Sequence, residues 1–218
     1  LGGRHVSMIE KECAAKHENV YAISMNSATS ALTASVLAVG IRRGDEVITP
    51  PFSFTATATA LHIAGATVVF ADVDPHTFCL DPKSVGKIVK PSTKAVVPVH
   101  LLGNAGDIFK LAEICKDRKI VMIEDSAQAL QSKSDGQILG KIGKIGVFSF
   151  QETKNITTGE GGIAVTDDQE LAIKLRMIRN HGESMAFEED SIGIQQVVGY
   201  NFRLAEILAA VGYGQVQK

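Results

Sequence analysis

Short apolar runs alternate with amphipathic stretches along the whole chain. Val6, Ile9 and Cys13 recur at helical spacing and predict a helix over 5–16. A short strand follows at 20–24. Asn26-Ser27-Ala28-Thr29-Ser30 then forms a polar turn into an apolar helix that stops at Gly40. Further strands are predicted at 46–49, 67–71, 95–99, 120–123, 145–150 and 163–165. Helices are predicted from Phe54 to Gly65, from the Asp81-Pro82 start, and over 105–116, 171–178 and 204–216. The acidic, unpatterned stretch 183–193 reads as a loop. Strands alternating with helices predict an α/β fold: a mostly parallel sheet in a three-layer αβα arrangement. No repeat of 20–50 residues interrupts this order.

Composition narrows the class. The chain has 218 residues, 45% hydrophobic and 21% charged, enough for a core. The net charge of -2 argues against a broad nucleic-acid surface and leaves room for a local anion site. Three scattered cysteines with no CxxC fit small buried hydrophobes in a reducing, cytoplasmic setting. No run has the length of a membrane span, and no secretory signal pattern opens the chain. Both ends fall within or beside helical patterns, so the chain is expected to be one large domain cut at each end.

The chemistry concentrates in residues 148–162. An apolar strand runs into a polar turn carrying Lys154, and three glycines in four positions follow, Gly159, Gly161 and Gly162. A lysine shielded at a strand end loses its proton more readily and can form Schiff bases. The same residue type also serves as an ordinary surface charge. Other polar residues fall at strand ends, where ligands bind in such sheets. Thr29 and Ser30 open a helix, suiting either phosphate binding or simple capping. Asp125 and Glu124 follow an apolar strand, suiting either a cap or a carboxylate aimed into a cleft. Phe54 and His100 occupy similar positions.

Pyridoxal phosphate needs all these kinds of group: a lysine for the imine, a carboxylate for the ring nitrogen, amides and hydroxyls for the phosphate, and an aromatic face. A dinucleotide site would need a GxGxxG after the first strand, and a P-loop a GxxxxGK[ST]; neither is present. No HExxH or His/Cys cluster points to a metal. His5, His17 and His76 read as surface or structural residues, and His62 as a helix residue.

Ordered segments then resemble one family. Ser27-Ala28-Thr29-Ser30-Ala31-Leu32 is similar to S-G/A-T-x-A-L, and Thr49-Pro50-Pro51-Phe52-Ser53-Phe54 to T-P-x-x-S/T-aromatic. The segment from Gly65-Ala66 to Asp72-Val73-Asp74 resembles G-A-x-P-V-F-x-D-V-D. Pro98-Val99-His100-Leu101-Leu102-Gly103 resembles P-V-H-L-Y-G, and Glu124-Asp125-Ser126-Ala127-Gln128-Ala129 matches E-D-x-A-Q/H-A. The lysine loop resembles S-F-x-x-x-K-N-x-x-T-G-E-G-G, and Asn180-His181-Gly182 and Gly199-Tyr200-Asn201-Phe202-Arg203 match as well. Together these resemble the DegT/DnrJ/EryC1/StrS sugar aminotransferases across nearly the whole chain.

The resemblance implies a fold-type I (aspartate aminotransferase-like) pyridoxal-phosphate enzyme working as a homodimer with shared active sites. It implies Lys154 as the Schiff-base and proton-transfer lysine, Asp125 at the pyridine nitrogen, Phe54 stacked on the ring and Gln128 beside the ring hydroxyl. Thr29, Ser30 and Ser149 would hold the phosphate, and Asn201 would reach the neighbouring subunit's cofactor. Glutamate would donate the amino group and a nucleotide-linked keto-sugar would accept it. Sugar dehydratases of this kind carry histidine at the lysine position, so Lys154 favours transamination. Family members are longer and carry a small C-terminal domain, which is expected to fall outside residues 1–218. A second expectation is therefore a cofactor-binding or dimer-forming domain with little turnover; a nicotinamide oxidoreductase is a third, without its fingerprint. The sugar, nucleotide, ring carbon and pathway stay open, as do contacts of His100, His181, Glu152 and Glu160 with substrate.

Overall fold

A computed structural model describes residues 2–183 and 197–218. Apart from Glu183, the loop expected over 183–193 lies outside the described residues. The chain runs α1 (Arg4–Lys16), β1 (Tyr21–Met25), α2 (Ala28–Ala38), β2 (Glu46–Thr49), α3 (Ala56–Ile63), β3 (Thr67–Phe70), α4 (Pro82–Ile88) and β4 (Thr93–Val96). It continues with α5 (Ile108–Arg118), β5 (Val121–Asp125), a small hairpin β6 (Lys133–Ser134) and β7 (Gln137–Ile138), β8 (Ile145–Ser149), β9 (Gly162–Thr166), α6 (Gln169–Arg179) and α7 (Glu206–Val216).

Seven strands form one sheet in the order β1-β9-β8-β5-β4-β2-β3. The run β8-β5-β4-β2-β3 is parallel, and β9 alone runs antiparallel to both its neighbours. The alternation of strand side chains explains the layers. Ile23, Val147, Ala164 and Ile123 face α2 and α6 on one side. Ala22, Phe148, Ile163 and Val165 face α1 and α7 on the other. Farther along that second face, Ile48, Val96 and Met122 meet α4 and α5. The α/β, three-layer reading of the sequence therefore holds.

Helix α2 is buried on most sides, which its small residues allow. Its buried hydroxyls are satisfied locally: Thr33 Oγ1 donates to the Thr29 carbonyl at 2.9 Å and Ser35 Oγ to that of Ala31 at 2.7 Å.

Two sequence expectations change. The strand expected over 120–123 extends to Asp125, so Glu124 and Asp125 are its last two residues and both are buried. The strand expected over 95–99 is shorter; Pro98 has no N–H to continue the ladder. Among the described residues, no helix is long and apolar enough to cross a membrane.

Candidate active site

At the carboxyl ends of β5 and β8 lies a cleft of about 540 Å³. Six separate segments supply its walls: the start of α2, the loop into α3, Val99 after β4, the end of β5 with the turn after it, the end of β8 with the lysine loop, and the Glu160-Gly161 approach to β9. The reversal of β9 makes this possible, since its first residue starts at the end where β8 finishes. Gly162 there pairs with Met25 on one side and Ser149 on the other. A Cβ at Gly162 would lie 2.3 Å from Ala28 N and 2.4 Å from Ser27 C, so glycine is what lets the sheet touch the helix entry.

That entry is an anion-ready surface. Ser27 caps α2, its Oγ accepting from Ser30 N–H at 3.0 Å. Ala28 and Thr29 begin the helix with amides that have no intrahelical carbonyl to bind, at the positive end of the dipole. Thr29 and Ser149 line the cleft; Ser30 does not, and its hydroxyl instead lies 3.0 Å from Ser27 Oγ.

Asp125 is the charged group at the buried end of the cleft, 4% exposed. Its Oδ2 accepts from Thr57 Oγ1 at 2.7 Å and its Oδ1 from Ala127 N–H at 3.2 Å. Burial pushes its carboxyl above the ordinary value; the Thr57 and Ala127 bonds, then His100 and Lys154, pull the other way. Its neighbour Glu124 points to the opposite face and is spent on structure. Glu124 Oε2 bonds the His100 ring at 2.7 Å and accepts from Gly140 N–H at 2.8 Å, while Oε1 accepts from Gly143 N–H at 2.5 Å. His100 is 1% exposed and does not line the cleft, so the suggestion that it touches substrate is replaced by a structural pairing.

Lys154 lines the cleft together with Gln151 and Thr153. Its loop is tied by Thr158 N–H to the Phe150 carbonyl at 2.9 Å and by the Lys154 N–H to the Gln151 carbonyl at 2.9 Å. The side chain is partly exposed, less shielded than its place after a buried strand suggests. Phe54 stands at the cleft mouth, 73% exposed. Gln128 lines the wall, and its Oε1 accepts from Leu102 N–H at 2.8 Å, holding a residue with φ of 54°. Glu160 also lines the cleft, whereas Glu152 and His181 are exposed and do not. Asn201 stands apart, on a second cavity with Arg179 and Arg203. The cleft thus gathers Thr29, Phe54, Asp125, Gln128, Ser149 and Lys154, and leaves out Ser30 and Asn201. It also contains Ser53, which the sequence reading quoted in a motif without a role, and Thr57, which it passed over as a helix residue.

These groups suit a flat, phosphorylated heteroaromatic aldehyde: amides and hydroxyls at one end, a buried acid for a ring N–H, an amine beside the carbonyl and an aromatic ring over the face. Residues 1–218 match the DegT/DnrJ/EryC1/StrS aminotransferase family throughout. The chain belongs to this family.

Among its family relatives is a GDP-perosamine synthase of Caulobacter vibrioides, 37% identical over 220 residues, covering 99% of this chain and 57% of that protein. A UDP-N-acetyl-3-dehydro-alpha-D-glucosamine 3-aminotransferase of Acidithiobacillus ferrooxidans is 39% identical over 210 residues, 96% of this chain and 55% of that one. In three dimensions the chain is similar to NtdA from Bacillus subtilis, solved with bound cofactor PMP, with a TM-score of 0.89 and 32% identity over 99% of this chain and 48% of that chain. The chain therefore spans about half the length of these members of the family.

Proposed function

We propose that this chain forms the cofactor-binding part of a pyridoxal-phosphate aminotransferase that moves an amino group from glutamate to a nucleotide-linked keto-sugar. The observation that carries this reading is the convergence of Lys154, Asp125 and the α2 entry on one cleft in a chain of this family. The GDP- and UDP-linked names of the two relatives support a nucleotide sugar as acceptor, and the PMP bound to NtdA supports the cofactor.

When bound, pyridoxal phosphate supplies an electron sink that stabilises negative charge at the carbon losing its proton. The chain's own residues do the rest. The amides of Ala28 and Thr29 with the hydroxyls of Thr29 and Ser149 hold the phosphate, and Ser30 supports them through Ser27. Asp125, whose hydrogen bonds from Thr57 and Ala127 favour the ionised carboxylate against its burial, would accept from the ring N–H. Phe54 covers one face and excludes water from it. Gln128 borders the ring hydroxyl. Lys154, the amine lining the cleft, would supply the nucleophile for the cofactor's aldehyde and, when free, a base able to move a proton at the reacting carbon. Asn201, outside the cleft, is assigned to the partner's site in a homodimer.

Because the chain spans about half of its relatives, transfer to sugar is proposed for the whole protein, and cofactor binding for this part. The test is to add pyridoxal phosphate, record the visible spectrum, and then add L-glutamate. A bound-cofactor band that glutamate converts to the amine form supports the full first half-reaction. A band that ignores glutamate supports binding without turnover. No band from folded protein, or a Lys154→Ala variant that keeps the wild-type band and activity, would overturn the assignment.

A further inference from the structure

We propose that Thr57 is the positioning residue for Asp125, and that Ser53 links this hydroxyl to the cleft. The inference rests on the cofactor reading above and adds residues which that reading does not use.

Thr57 is 2% exposed and sits near the start of α3, one turn beyond Ser53. Its Oγ1 lies 2.7 Å from Asp125 Oδ2, and Ser53 Oγ lies 2.9 Å from the same Oγ1. An ionised carboxylate only accepts, so the Thr57 proton points at Asp125. Thr57 has one proton, so in the Ser53–Thr57 bond the Ser53 hydroxyl donates. The direction of the chain is thereby set by Asp125: Ser53 aims its proton at Thr57 and leaves its lone pairs for the cleft it lines. A proton on Asp125 Oδ2 would allow both hydroxyls to reverse.

The pair also decides which carboxylate oxygen is anchored. Oδ1 is held by Ala127 N–H at 3.2 Å, a longer bond to a flanking turn. Among the described residues Oδ2 has Thr57 as its hydrogen-bond donor, so Thr57 fixes the rotation of the carboxylate that must meet the ring nitrogen. The other titratable groups that face Asp125 are His100, from the loop after β4, and Lys154, from the loop after β8. Both favour the ionised carboxylate, in the same sense as Thr57.

The experiment compares wild type with Thr57→Val, Thr57→Ser and Ser53→Ala. In cofactor-free protein labelled at aspartate carboxyl carbons, NMR follows the titration of Asp125. Thr57→Val is expected to raise its midpoint by about one pH unit, Thr57→Ser to restore it, and Ser53→Ala to raise it by a few tenths. Pyridoxal-phosphate titration is expected to show roughly tenfold weaker binding for Thr57→Val and near-normal binding for Thr57→Ser. An unmoved Asp125 midpoint in folded Thr57→Val overturns the proposal. Should Thr57→Val not fold, an unmoved midpoint in Ser53→Ala, at a half-exposed site, overturns it equally. Shifted midpoints in a wild-type protein that binds no pyridoxal phosphate would sink the cofactor reading while leaving the hold of Thr57 on Asp125 in place.

Discussion

Replacing Gly162 with alanine puts a methyl group into backbone. The new Cβ would sit 2.3 Å from Ala28 N, 2.4 Å from Ser27 C and 2.6 Å from Ala28 Cα, and no rotamer change moves any of these atoms. Ordinary heavy-atom contacts begin near ~3.5 Å, so roughly 1 Å of displacement is required. Gly162 is paired on both sides, with Met25 and Ser149, so the helix entry must move rather than the strand. Overpacking of this kind costs about 1–3 kcal/mol. In a chain of this size that lowers Tm by roughly 2–12 °C. The same shift displaces the Ala28 and Thr29 amides, and pyridoxal-phosphate affinity is expected to fall about tenfold, near 1.4 kcal/mol. Gly159→Ala is the control: its Cβ would meet nothing within 4 Å, but its φ of +84° disfavours a side chain. That variant should lose about 1–2 kcal/mol of stability and keep its cofactor affinity. Thermal melts and cofactor titrations of both variants decide the matter. A Gly162→Ala protein with wild-type Tm and affinity would refute the close-approach argument.

Glu124→Ala strips the acceptor from three donors, the buried His100 ring and Gly140 amide and the part-buried Gly143 amide. At about 1–3 kcal/mol for each orphaned group the loss rivals the whole stability of a domain. The variant is expected to show no cooperative melt by circular dichroism, and a normal melt would contradict this. Asp125 has a folded-state pKa raised above the usual 3.8, so the native state holds its proton longer than the unfolded chain. Cofactor-free wild type should therefore lose stability relative to Asp125→Asn as pH climbs from 3.8 through the raised pKa, and keep that deficit above it. Urea melts across this range that show a constant difference would disprove the shift. Burial pushes the Cys13 and Cys115 thiols up to about 12, so neither should react with an alkylating reagent near pH ~8 until the protein unfolds. Mass spectrometry before and after denaturation checks this.

The elements were legible because strand and helix periods differ and Gly or Pro marks most of their ends. Asp81-Pro82 starts α4, and Gly40 follows the end of α2. Their apolar alternation even assigns the two faces, as with Val147 and Phe148. The Asp135-Gly136 turn of the β6–β7 hairpin was an available signal that strands of two residues are too short to reinforce. The direction of β9 also had a cue: residues 150–161 contain no crossover helix, as a parallel return would require. The Glu124–His100 pair was not legible. Nothing local distinguishes a glutamate serving two backbone amides and an imidazole 24 positions away from one reaching into a cleft. Thr57 was hidden for the same reason, its partner lying 68 positions along the chain.

The lone antiparallel strand has a consequence in time. Tyr21 of β1 pairs with Thr166 of β9, and among the described residues β1 has no other neighbour in the sheet. Helix α1 likewise shares its core with α7, where Val6, Ile9 and Cys13 meet Ala209 and Val216. At roughly 5–20 residues per second, synthesis of the intervening chain takes about 7–30 s. For that interval the nascent chain carries a bare apolar helix face and an unpaired strand edge, while β2, β3 and β4 can already assemble. Residues 4–25 therefore leave the ribosome well before β9 and α7, the elements that secure them.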